Sequence, residues 1–157
     1  MAGSSGYAYI VRMAPTALTV AKTLIQVKAG AAAIDIAAAY VYQVTKTSSE
    51  LLQVQIIRKS AAATVTSFTP VKLNPNDPAA LAVGGVSATG TNASAEGTDG
   101  DITHEEVWNV LNGTWQYLNI PELRDREQQA AIIALKLATA PAASMTIGAV
   151  LKFIEYR

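Results

Sequence analysis

The sequence has no cysteine and one histidine among its 157 residues. The first absence rules out disulfides, thiol nucleophiles and thiolate metal sites. The second leaves His104, in the triplet His104-Glu105-Glu106, without the partner histidine of a zinc motif. Charge is also scarce: Asp, Glu, Lys and Arg make up 15% of the chain, against about 25% in an ordinary soluble domain. The 12 basic and 12 acidic residues cancel. There is no basic footprint of the kind that nucleic-acid or anionic-membrane binding requires, so neither is an expected partner. No run reaches the ~18 apolar residues of a membrane-spanning helix. The N-terminal MAGSSGYAYIVRM lacks the charged start and apolar stretch of a signal peptide, so synthesis in a cytoplasm is expected.

What is abundant is apolar. Hydrophobic residues reach 50% and mean hydropathy is +0.23. A small soluble monomer usually carries more surface charge to stay apart from its copies. The shortfall implies a surface partly covered by other subunits. The length suits one domain with a real core.

Most apolar segments alternate with period two, the mark of half-buried strands. Leu52, Val54 and Ile56 fall on one face, with Gln53 and Gln55 on the other. Met145, Ile147, Ala149, Leu151 and Phe153 share a face opposite Thr146, Gly148 and Lys152. LTVAKTLIQVK and AAIDIAAAYVYQV follow the same habit, with Ile34 and Ile36 flanking Asp35. Turn signals at Ala14-Pro15, Ala29-Gly30, Asn74 to Pro78 and Ala140-Pro141 punctuate these runs. Several short strands between such signals predict an all-β sandwich or barrel.

The sharpest local signal is VWNVLNGTWQYL, residues 107–118. Asn-Gly favours a type I′ two-residue hairpin, in which both central residues need positive φ. That turn sets Val110 opposite Trp115 and Trp108 opposite Tyr117, as one apolar face. In PELRDREQQAAIIALKLAT, good helix formers compete with the alternation of Ala131, Ile133, Leu135 and Leu137. The expectation is a polar loop with one helical turn over 121–128, then a strand over 129–138. Residues 84–101 are small and polar and read as a long surface loop, with Gly84-Gly85 as a turn. Residues 1–6 read as an arm held by a neighbouring chain, ahead of a domain over 7–157.

Residues that could carry chemistry are few. Glu96, Asp99, Asp101, Glu105 and Glu106 form a local run of acids. Paired carboxylates can bind calcium or hydrolyse glycosides, but Asp99-Gly100-Asp101 does not continue into a calcium-loop pattern. Trp108, Trp115 and Tyr117 could stack on a sugar or fill the core, and burial separates the two. His104 reads as a surface residue at a strand start. No catalytic set, metal site or cofactor is expected.

Taken in order, the segments AYIVRM, LTVAKTLIQVKA, LLQVQIIRK, LNPNDPAA, VWNVLNGTWQYLNIPEL and APAASMTIGAVLKFIEYR resemble a known group across nearly the whole chain. They are similar to the small β-sandwich virion proteins of tailed bacteriophages, of the decoration or cement type. NPNDPAA, NVLNGTWQY with its following PEL, and the Phe153-Ile154-Glu155 ending are the most specific parts. Two stretches depart from the pattern, KSAAATVTSF after LLQVQIIR and the charged PELRDREQQ. The resemblance implies a jelly-roll-like antiparallel sandwich and a homo-oligomer, with a trimer favoured. It also implies the major capsid protein as partner and the capsid surface as location. A minor head–tail accessory protein, or a carbohydrate- or receptor-binding sandwich on the virion, is the alternative.

Overall fold

The computed structural model describes residues 6–86 and 95–157. These form strands β1 (Gly6–Leu18), β2 (Lys22–Lys28), β3 (Ala33–Gln43), β4 (Leu51–Ala61), β5 (Thr66–Phe68) and β6 (Val71–Lys72). They continue through β7 (Val83–Val86), β8 (Thr98–Asn109), β9 (Trp115–Leu118), β10 (Asp125–Glu127), β11 (Ile132–Leu137) and β12 (Met145–Tyr156). One sheet has the order β10-β3-β12-β1-β6, with β9 beside β10 on the same edge of β3. The other runs β5-β7-β2-β11-β4-β8. Every pairing among these strands is antiparallel. The chain crosses repeatedly from one sheet to the other, giving the expected all-β, jelly-roll-like sandwich in a single domain.

The alternation in the sequence becomes the core. Tyr9, Val11 and Met13 of β1 face inward with Ile147, Ala149, Leu151 and Phe153 of β12, and all are sealed from solvent. Tyr9 stacks on Phe153 with ring centres 5.5 Å apart. From the second sheet, Leu52, Val54, Ile56, Ile133, Leu135 and Leu137 close the layer. Burial of this apolar area, at roughly 25 cal/mol per Å², is what holds the two sheets together.

Two buried carboxylates inside this shell are partnered. Asp35, between two buried isoleucines, pairs in bidentate fashion with Arg126 at 2.7 and 2.9 Å. The buried Glu155 accepts from the backbone N–H groups of Leu81 and Ala82, at 3.0 and 2.8 Å, and pairs with Arg157. Lone buried charges of this kind would cost several kcal/mol each, so each pair pins an edge or a terminus in place.

Several local expectations need correction. Asn112-Gly113 does not make a hairpin: β8 pairs with β4 and β9 with β3, in different sheets. Gly113 has φ of +85°, but Ala130 is the only described non-glycine residue with positive φ, so a type I′ turn is excluded. Residues 110–114 instead arch across the ~10 Å between the sheets. Trp108 Nε1 ties the arch by donating to the Gly113 carbonyl at 2.9 Å. The reason is burial: in a hairpin the aromatic face would be covered from one side only.

Ala14-Pro15 is not a turn but a bulge inside β1, where the register slips between Met13 and Thr16 and no ladder donor is needed from proline. Gly84-Gly85 lies in β7, not in a turn. The expected loop over 84–101 is strand at 84–86 and 98–101, and its middle, 87–94, lies outside the described residues. The arm falls there too, except Gly6, which opens β1. Over 121–128 a single 3-10 turn at Pro121–Leu123 is followed by β10, and the strand expected over 129–138 is β11.

Candidate interaction surface

The arch brings the predicted aromatic set together in the interior. Trp108 and Trp115 are 4% exposed and Tyr117 is 8% exposed. The Trp115 indole donates to Glu106 at 3.0 Å, and the Tyr117 hydroxyl to Asp125 at 2.7 Å. Burial, then the bond to the Asp125 carboxylate, pushes the Tyr117 phenol well above its ordinary range. Rings held this way fill core and cannot stack flat on a sugar from solvent. His104 sits within β8, not at its start, with its imidazole 4.6 Å from the Tyr117 ring.

The run of acids is dispersed by its neighbours. Glu96 accepts from the backbone and hydroxyl of Thr23. Asp99 takes Lys59 at 2.6 Å and also Lys136. Burial works to raise the Asp99 carboxyl, but the hydrogen bonds from Lys136 and Lys59 outweigh it and hold the group below its usual range. Glu105 takes the Gln55 amide, and Glu106 the Trp115 indole. Asp101 and Glu105 stand four residues apart on one strand, roughly 13 Å at strand rise, beyond the spacing of a glycosidase pair. Among the described residues no group of three or more His, Asp or Glu is placed to hold a metal ion.

What the fold leaves open is an edge. β8 is the outer strand of its sheet, and its register with β4 slips at three places. Facing it, β9 and β10 form one interrupted edge strand along β3: Leu118 pairs with Ala38, and pairing resumes only at Asp125 with Ile36. Residues 119–124 are pushed out of the sheet between them. Exposed apolar side chains lie along these segments: Ile102 and Val107 on β8, Leu118 on β9, and Leu111, Ile120 and Leu123 in the connections that follow them. The same side is acidic: eight of the 12 acidic residues lie between Glu96 and Glu127, with only Arg124 and Arg126 as bases.

Sequence reasoning placed Trp108, Trp115 and Tyr117 together but missed Ile120 and Leu123, both of them well exposed. Their signal was available, as two aliphatic residues flanking Pro121-Glu122 with no alternating partner. It also missed Arg126, because the bond to Asp35 joins residues 91 positions apart.

No family model matches the chain, and no curated protein matches it. Among solved structures, a chain from "Structure of infectious bursal disease virus Gx strain" aligns at 11% identity with a TM-score of 0.22. That alignment covers 98% of this chain and 42% of the viral one. A likeness at that score carries no argument about fold or role.

Proposed function

We propose that the protein is a non-catalytic structural component of a virion, binding the outside of a tailed-phage capsid as a decoration or cement protein. The observation that carries the reading is the pairing of a sealed core with an unpaired edge at β8 and β9, where Ile102, Val107 and Leu118 are exposed beside the acids of β8. An unpaired edge offers backbone donors and acceptors to a partner, and its acids discourage random pairing with other edges. A specific interface needs about 1,000 Å² or more, and repetition over a shell multiplies a modest contact by avidity. The sequence resemblance points the same way, with the major capsid protein as the partner and self-association between copies. The buried indoles argue against the sugar-binding alternative.

The test is binding of purified protein to shells that lack it, followed by imaging of the occupied particle. Saturable occupancy of the outer surface, with raised tolerance of the shell to heat, is expected. Density confined to the head–tail vertex would move the protein to the accessory role, and no binding would overturn the reading.

A further inference from the structure

On the side of the sandwich away from residues 119–124, β1 and β6 form the opposite edge of the same sheet, four strand spacings or roughly 19 Å away. There Ile10, Phe68 and Val71 line an apolar hollow of about 370 Å³, with Arg12 at its wall. Arg12 is exposed and makes no ion pair among the described residues, and neither does the adjacent Lys72.

The excursion over 119–124 is the counterpart of that hollow. Ile120 is 59% and Leu123 67% exposed, and between them stands Glu122, an exposed acid with no ion pair among the described residues. The projection is braced by hydrogen bonds of its own. The Leu123 N–H donates to the Ile120 carbonyl at 3.0 Å, and the Asn119 amide binds both the Tyr117 hydroxyl and the Leu123 carbonyl. The apolar knob thus presents the exposed Glu122, with Arg124 half-buried at its base, and the apolar socket presents the cations Arg12 and Lys72, on opposite edges of one molecule.

We infer that the knob of one copy seats in the socket of the next, Ile120 and Leu123 against Ile10, Phe68 and Val71, with Glu122 meeting Arg12. The inference rests on the reading of the chain as an assembly protein, but not on the identity of the particle. Because knob and socket are different surfaces, the contact is heterologous, closing into a ring if the rotation allows and otherwise extending. Complementary charge fixes its register, since a copy presented knob to knob would set Glu122 against Glu122.

Sedimentation velocity of the full chain over a range of concentrations tests this. Leu123→Asp and Arg12→Glu should each weaken self-association on the order of tenfold or more, without lowering the melting temperature. Combining Arg12→Glu with Glu122→Arg should restore most of it. An equimolar mixture of Leu123→Asp, which keeps its socket, and Arg12→Glu, which keeps its knob, should stop at one-to-one dimers. Ile120→Asp repeats the knob test if Leu123→Asp loses its fold. A wild-type chain that stays monomeric throughout, or association indifferent to both substitutions, would overturn the inference. If that monomer still occupies capsids, the proposed function survives alone; if copies join but never bind a shell, only the contact between copies survives.

Discussion

β12 and β8 are both strands of 12 residues, yet they answer to different constraints. In β12 the inward set from Met145 to Phe153 is sealed, because a neighbour lies on each side and a second sheet lies over it. In β8 only Trp108 is buried, and the strand carries Asp99, Asp101, Glu105 and Glu106. Position in the sheet, more than strand propensity, decides what an alternating sequence does. A central strand converts alternation into core, while an edge strand converts it into a border with charges that discourage random pairing.

The contrast can be broken first at its inner residues. Phe153→Ala should cost about 3–5 kcal/mol in urea unfolding, the range for a buried aromatic, and Trp115→Ala should fall in the same range. A Trp115 variant that unfolds like wild type would mean that the arch is not part of the core.

A smaller effect is expected at Gly148, which pairs with Tyr42 in the middle of the first sheet. A Cβ there would come within 2.3 Å of the Tyr42 ring. Gly148→Ala should therefore cost about 1–3 kcal/mol by overpacking, and Tyr42→Ala combined with it should recover part of the loss.

Acid sharpens the comparison on the β8 side. The Asp99 carboxyl is held below its ordinary 3.8 by Lys136 and Lys59, against the opposing pull of burial. A depressed pKa contributes stability above the unfolded value, and that contribution is lost as pH falls through the folded one. Melting temperature should therefore drop in strong acid, and Asp99→Asn should flatten that limb while lowering stability near neutrality. Glu127 acts with the opposite sign, since burial outweighs Arg58 and raises its pKa. Its contribution is full below the unfolded value and fades as pH climbs through the folded one. An acid limb unchanged by Asp99→Asn would show that other carboxylates carry it.

The smallest effect belongs to the outer face of β8. Val107 is 58% exposed, so Val107→Ser should stay within about 0.5 kcal/mol of wild type in thermal unfolding. A larger loss would mean that the edge is covered within the isolated chain.

Much of the fold was legible. Alternation in Leu52 to Ile56 and in Met145 to Phe153 predicted their buried faces, and Ala131 to Leu137 outweighed the helix formers around them because its inward positions line the core. What failed was local turn chemistry overruled at longer range. Asn112-Gly113 carries a hairpin signal, but a run of two residues cannot reveal that β4 and β3 offer β8 and β9 better edges. The aromatic residues of the candidate site were grouped through the expected hairpin, and they share the core without it because alternation in β8 and in β9 turns each set inward. The exposed knob was not, since a projection is defined by what surrounds it and not by its own pattern.

The pairing of Gly6 to Leu18 with Met145 to Tyr156 has a consequence in time. Tyr9 leaves the ribosome long before Phe153, its stacking partner, exists. Until β12 has been synthesised, the strand edges of β1 and β3 that flank it have no partner between them. Chains dominated by such distant pairings fold slowly and are prone to aggregate on the way. A nascent chain stalled before Met145 would therefore present the apolar inner side of β1 and β3 to chaperones, and release of β12 would be the step that commits it to the native state.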